Sequence, residues 1–274
     1  MTTTPVNNRL DELFLRCKAE NRAALILYLT AGFPTPKHTA PLLSALARAG
    51  CDLVELGIPF SDPIADGPVI QRASAIALDA GMTYPQALEM TREFRTNFQT
   101  PVIFFGAFNP FLYRGLEQVA DDLASVGAEG VLAADLPLDE SEEVRAILAA
   151  RNLHLITLVA PTTPDHRLAA FSNQCTGFIY CISYKGTTGT REVTADSISG
   201  YLGRLRRNIS VPLALGFGIK RPADVRNAVD LGADAVVVGT ALIETIEQAV
   251  ATGADVEQIV FEYVQSLTKE LRRR

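Results

Sequence analysis

A (β/α)8 TIM barrel with an extra N-terminal helix, filling residues 1–274 as one domain, is the fold this sequence predicts, and three features predict it. Short apolar runs alternate with helical patterns, which is the form that repeated βα units take in a sequence. Eight such runs can be counted, at 24–30, 52–56, 101–105, 130–133, 153–159, 177–182, 212–215 and 235–238, and eight suggests closure rather than an open sheet. With 274 residues, 48% of them hydrophobic, the chain can bury one large core, and such barrels commonly run to about 250 residues.

The elements follow in order. Residues 7–19 form a helix with Leu10, Leu13, Phe14 and Cys17 on one face, predicted to cover the barrel's N-terminal mouth. After the first strand, a helix over 41–49 ends at Gly50. The second strand is short, because Gly57 and Pro59 cannot extend it as a central strand, so Glu55 falls at or just inside its C-terminal end. Thr83-Tyr84-Pro85-Gln86 carries a capping Thr, a Pro in the first turn and a Gln three residues on. The third strand runs on into Phe108, Phe111, Leu112 and Tyr113, an apolar stretch too long for a strand and therefore expected to include a nonpolar loop, folded over its own core or open to a partner. A helix over 141–150 follows Asp139-Glu140. Past the sixth strand, Ser183-Tyr184-Lys185-Gly186-Thr187-Thr188-Gly189-Thr190-Arg191 has no apolar anchor and reads as a lid or as a surface excursion. Arg221-Pro222 and Asp255-Val256 open the last helices, and Arg272-Arg273-Arg274 reads as a frayed, solvated end. No linker, low-complexity tract or repeat of 20 to 50 residues is seen.

Composition narrows the classes. A net charge of −6 argues against a nucleic-acid or anionic-membrane surface. The start lacks the basic and apolar regions of a signal peptide, and no apolar run nears the roughly 20 residues of a membrane span, so a cytoplasmic protein is expected. Cys17, Cys51, Cys175 and Cys181 lack CxxC spacing, and His38, His154 and His166 lie far apart. Buried thiols are expected, without a disulfide framework or a metal site.

The chemistry concentrates at Glu55-Leu56-Gly57-Ile58-Pro59-Phe60-Ser61-Asp62-Pro63-Ile64-Ala65-Asp66-Gly67-Pro68. A carboxylate ending a parallel strand is held rigidly where α/β barrels do their chemistry, and two more on a proline-stiffened loop can face it. The plain alternative is a solvated acidic turn. Late in the chain, Gly216-Phe217-Gly218 and Gly239-Thr240 follow the last two strands. Either pair could simply make a tight turn, but together at those strand ends they favour a cradle of backbone N–H groups for a phosphate ester.

The Glu55–Asp66 segment, followed by these later motifs, resembles the tryptophan synthase α chain over almost the whole length. The resemblance implies cleavage of indole-3-glycerol phosphate, with Glu55 and Asp66 as the catalytic pair. It implies that Tyr28, Leu132, Tyr180, Phe217 and Val237 line an indole pocket. Gly186 and Thr188 match a closing loop, and Gly189, Gly216, Gly218, Gly239 and Thr240 match phosphate-binding positions, while Asp135 and Pro137 match a strand-four turn. It further implies a pyridoxal-phosphate-dependent β chain, met through Asp62, Asn109 and Pro110 in an α2β2 assembly, with no cofactor in this chain. The sequence departs from the family at Ala107, where tyrosine is frequent, at Tyr184, Lys185 and Thr187, and at Thr240, usually serine. Retro-aldol cleavage needs a proton given to the ring carbon and one taken from the adjoining hydroxyl. Glu55 is expected to have a raised pKa and Asp66, on a more polar loop, to stay ionised. A Schiff-base aldolase would need a strand-end lysine, and the predicted strands contain none. A subunit that only activates a partner is the remaining rival.

Overall fold

The computed structural model describes residues 6–172, 174–182, 195–216 and 218–273. Among them, parallel strands β1 (Ala24–Thr30), β2 (Leu53–Gly57), β3 (Val102–Gly106), β4 (Gly130–Ala133), β5 (His154–Leu155), β6 (Thr157–Val159), β7 (Ile179–Cys181), β8 (Leu213–Leu215) and β9 (Ala235–Val238) are ordered 5-4-3-2-1-9-8-7-6. Only Ile156 separates β5 from β6, and its N–H donates to the Val131 carbonyl at 2.8 Å. The two are therefore one interrupted strand, and they bring the ends of the sheet together as an eight-stranded barrel.

Helix α1 (Arg9–Ala19) begins at Asn8, whose side chain accepts from the Leu10 N–H while Asp11 accepts from the Asn8 N–H. Leu10, Leu13, Phe14 and Cys17 are buried against inward-facing Ile26, Leu53, Ile103, Leu132, Ile156, Phe178, Ala214 and Val237. The helix plugs the barrel floor, as its apolar face predicts. Because strand side chains alternate, the inward residue two positions past Leu53 is Glu55, the one past Ile26 is Tyr28, and the one past Phe178 is Tyr180. The plug and the polar chamber are successive layers of one interior.

The remaining helices are α2 (Thr39–Arg48), α3 (Pro68–Asp79), α4 (Tyr84–Arg95), α5 (Phe108–Arg114), α6 (Leu116–Ser125), α7 (Glu142–Ala149), α8 (Asp165–Phe171), α9 (Ala195–Arg206), α10 (Pro222–Asp230), α11 (Thr240–Thr252) and α12 (Val256–Thr268). Thr83 and Gln86 form the expected capping box of α4.

Three expectations are corrected. Strand β2 includes Gly57, whose carbonyl accepts from the Ala31 N–H at 2.8 Å. The apolar stretch after β3 is α5 rather than a loop, since Pro110 falls in its first turn, where its missing N–H costs no hydrogen bond. The arginine tail is anchored: the Arg273 N–H donates to the Asn21 carbonyl, and its guanidinium reaches Asp234 at 2.8 Å.

A further pattern occupies the N-terminal face. Gly50-Cys51-Asp52, Gly127-Ala128-Glu129 and Gly232-Ala233-Asp234 each end a helix with a glycine at positive φ and present a carboxylate just before a strand. Asp52 accepts from the Leu25 N–H, Glu129 from Val102 and Asp234 from Leu213, at 2.9, 2.6 and 2.9 Å. Each is also paired with arginine: Arg22 with Asp52, Arg9 and Arg95 with Glu129, and Arg206 and Arg273 with Asp234. These carboxylates tie neighbouring strands together on the face opposite Glu55.

Candidate active site

Glu55 lies inside the barrel at the middle of β2, two residues before its C-terminal end, in register with Tyr28 on β1 and Ile103 on β3. It is 1% exposed, and its Oε1 has no hydrogen-bond partner. Burial alone pushes its pKa up to about 8, so at neutral pH it is mainly protonated and can donate.

Two tyrosines flank it, and glycines make room for both. A Cβ on Gly57 would sit 2.2 Å from the Tyr28 hydroxyl, and one on Gly216 would sit 2.6 Å from that of Tyr180. Tyr28 also meets Phe105 edge to face, with ring centroids 5.2 Å apart. The resulting cavity, about 110 Å³, is lined by Glu55, Tyr28, Tyr180, Phe105 and Val237, together with Gly216, Gly218, Gly239 and Thr240. Gly218 takes φ +54, a left-handed conformation suited to glycine. Thr240 is the first residue of α11, so the unpaired N–H groups of that helix end face the cavity's glycine side.

Asp66 closes the turn after β2, its N–H donating to the Pro63 carbonyl, while the Gln71 amide donates to the Asp66 carbonyl at 2.9 Å. Its carboxyl lines a smaller adjoining cavity with Ile58, Phe60, Ala107 and Asp135. Burial, and then the charge of Asp135, raise its pKa to about 6. Both carboxyls are therefore shifted, but they straddle neutrality: Glu55 holds a proton there and Asp66 is mostly ionised. Both carboxyls act electrostatically on Tyr28 and Tyr180, so Asp66, in the neighbouring cavity, is felt by residues that line the Glu55 cavity.

The site thus gathers Glu55, Tyr28, Tyr180, Val237, Gly216, Gly218, Gly239 and Thr240 in one cavity and Asp66 in the next. Leu132 is fully buried in the interior layer with α1 and is not on the cavity wall. Asp62 and Asn109 are exposed, and Pro110 is half-buried in α5. Gly186, Thr188, Gly189 and Phe217, with Tyr184, Lys185 and Thr187, lie outside the described residues. Sequence reasoning missed Phe105, although it stands two residues past inward-facing Ile103. It also missed Ile70, Ile219, Lys220 and Ala241 on the cavity wall. Asp135 was seen only as part of a turn, yet it accepts the Phe108 N–H at 2.6 Å and so caps α5 beside Asp66.

Comparison with known proteins decides the family. The family model for the tryptophan synthase alpha chain matches residues 14–272. This chain belongs to that family. The tryptophan synthase alpha chain of Laribacter hongkongensis is 45% identical over 249 residues, covering 90% of this chain and 94% of the relative. That of Solibacter usitatus is 43% identical over 267 residues, 97% of each. The crystal structure of the alpha subunit from Legionella pneumophila superposes with a TM-score of 0.91 at 34% identity, covering 96% of this chain and 98% of the other. The protein is accordingly a tryptophan synthase α subunit, a lyase that cleaves indole-3-glycerol phosphate to indole and glyceraldehyde-3-phosphate.

Proposed function

We propose that Glu55 and Asp66 carry out this cleavage and that the indole passes to a β chain. The observation that carries the assignment is the buried Glu55, its Oε1 without a hydrogen-bond partner, sharing one cavity with the glycine ends of β8 and β9 and the start of α11. Protonated Glu55 delivers its proton to the indole ring carbon that bears the glycerol chain. Positive charge then develops on the ring nitrogen, and ionised Asp66 accepts that N–H and stabilises it. The Glu55 carboxylate next takes the proton of the adjoining hydroxyl as the carbon–carbon bond breaks. The bond's electron pair returns to the ring, leaving indole and an aldehyde, and Glu55 ends protonated as it began. Tyr28, Tyr180, Phe105 and Val237 hold the ring, and the backbone at Gly216, Gly218, Gly239 and Thr240 holds the phosphate; Phe217 and the 186–189 loop complete the assignment.

No cofactor enters these steps, and pyridoxal phosphate belongs to the β partner. Partner docking has a physical basis in the surface. Ile64, Leu112 and Tyr113 are 78, 52 and 97% exposed, on the segments that follow β2 and β3 and carry Asp62, Asn109 and Pro110. Apolar side chains gathered at that end fit a partner surface better than solvent. An α2β2 assembly acting in the cytoplasm is the form this reading takes. Among the described residues no helix is long and apolar enough to cross a membrane.

The test is release of indole and glyceraldehyde-3-phosphate from indole-3-glycerol phosphate by wild type and Glu55→Gln. General acid–base groups contribute about 10²–10⁴ in rate, and a group serving two transfers belongs at the upper end. Near-normal turnover in the glutamine variant would remove Glu55 from the chemistry.

A further inference from the structure

The glycine side of the cavity has a charge to balance. A phosphate ester carries about −1.5 to −2 at neutral pH, and a helix N-terminus offers only about half a positive charge. Among the described residues lining the cavity, Lys220 is the only cation. Its backbone is fixed on both sides: the N–H donates to the Asp224 carboxylate at 3.0 Å, and the carbonyl accepts from the Tyr263 hydroxyl at 2.9 Å. Its N–H is therefore spent, and its side chain is what it can offer a ligand. The ammonium rests on Glu244 at 2.8 Å, in a pair about half exposed on both partners. Such pairs are weak, and Glu244 stands four residues into α11 from Thr240, so the ammonium is parked beside the glycine cradle. We infer that Lys220 is a phosphate-binding residue of this site, its ammonium leaving Glu244 for the phosphate when substrate binds. The inference rests on the phosphate reading of the glycine cradle. A near-dianion held in a partly enclosed cavity outcompetes a single exposed carboxylate for the same ammonium.

Glycerol 3-phosphate, as a competitor of cleavage and in direct titration, is the probe, with free indole as the uncharged control. Lys220→Met should weaken glycerol 3-phosphate about tenfold and raise KM for substrate similarly, as expected for one partly exposed charge-assisted bond, with kcat and indole affinity held. Lys220→Arg should restore most of the loss, and added salt should weaken glycerol 3-phosphate less in the methionine variant than in wild type. Glu244→Gln, which frees the ammonium, should tighten glycerol 3-phosphate. If Lys220→Met binds it as wild type does while Gly239→Val loses it, Lys220 has no part and the glycine cradle stands. If wild type itself shows no competition by glycerol 3-phosphate, and Gly239→Val leaves KM unchanged, the phosphate reading fails and the lysine assignment with it.

Discussion

At the scale of single residues, two carboxyls of similar intrinsic acidity are driven to opposite states at neutral pH by what surrounds them. Glu55 has apolar walls and no hydrogen bond at Oε1; Asp66 is half-buried and feels Asp135. The free chain should therefore show a bell-shaped kcat/KM, rising near pH 6 as Asp66 ionises and falling near 8 as Glu55 loses its proton. Asp135→Asn keeps an acceptor for the Phe108 N–H but removes the charge, so the acid limb should move to lower pH while the basic limb stays. An acid limb that does not move would dissociate Asp135 from the ionisation of Asp66. Glu55 also links to stability. Its folded pKa, about 8, lies above the ordinary 4.5, so the native state binds the proton more tightly than the unfolded chain does. The Glu55 contribution to stability is then fully present below about pH 4.5 and is lost as pH rises through 8. Glu55→Gln removes that decline, and denaturant melts should show the variant gaining on wild type by a few kcal/mol between about pH 5 and 8.5, at about 1.4 kcal/mol per pKa unit. A constant difference across that range would deny the buried, protonated carboxyl.

At the scale of elements, the strands divide labour between their two ends. Each of Asp52, Glu129 and Asp234 stands at the start of a strand, ties down a neighbouring strand's N–H and neutralises arginine. Asp52→Asn keeps the shape but strips the charge from a bidentate pair with Arg22, at 2.7 and 2.8 Å. Losing one partner of a buried pair costs about 3–5 kcal/mol; with Arg22 partly exposed, about 2 kcal/mol is expected. Urea unfolding should register that loss while kcat at low denaturant stays near wild type, since the chemistry is at the other end. A large fall in kcat with unchanged stability would contradict the division. Much of this level was legible in the sequence. Apolar runs located every strand, a shared apolar face placed α1 and a capping signal placed α4, because those depend on local pattern. The Gly-x-Asp/Glu repeat was present but invisible as a function, since three residues recurring at irregular intervals acquire meaning only when the strands are side by side. Helix α5 was missed because its apolar residues continue those of β3 without a break and Pro110 reads as a stop unless it falls in a first turn. At the site, Gly216 and Gly239 do follow strand ends as read, whereas Glu55 lies two residues inside the end of β2. The tyrosine clearances at Gly57 and Gly216, and the place of Leu132 one layer too low, needed the barrel's stagger.

At the scale of the whole molecule, plug, chamber and rim form one axis: α1 seals the floor, Glu55 sits above it, and the segments after β2 and β3 carry exposed apolar side chains at the top. The same two segments hold the means of coupling a partner to the chemistry. Asp62 lies four residues before Asp66 on a single proline-stiffened turn, and α5, with Asn109 and Pro110, is capped by the Asp135 carboxylate that raises the Asp66 pKa. On the proposed docking, a β chain pressing on either segment would have a short, contiguous route to the Asp66 carboxyl, and would raise cleavage to the extent that it binds the competent arrangement more tightly than the idle one. Cleavage measured with and without a β chain should thus show stimulation. Asp62→Ala should remove most of that stimulation, by weakening the contact, while leaving basal cleavage by the isolated chain within about twofold, a difference of about 0.4 kcal/mol in activation free energy. Loss of basal and stimulated rates together would make Asp62 a support of the Asp66 turn rather than a docking residue. Strong cleavage by the chain alone, unaffected by any β protein and by Asp62→Ala, would instead make it a free-standing indole-releasing lyase.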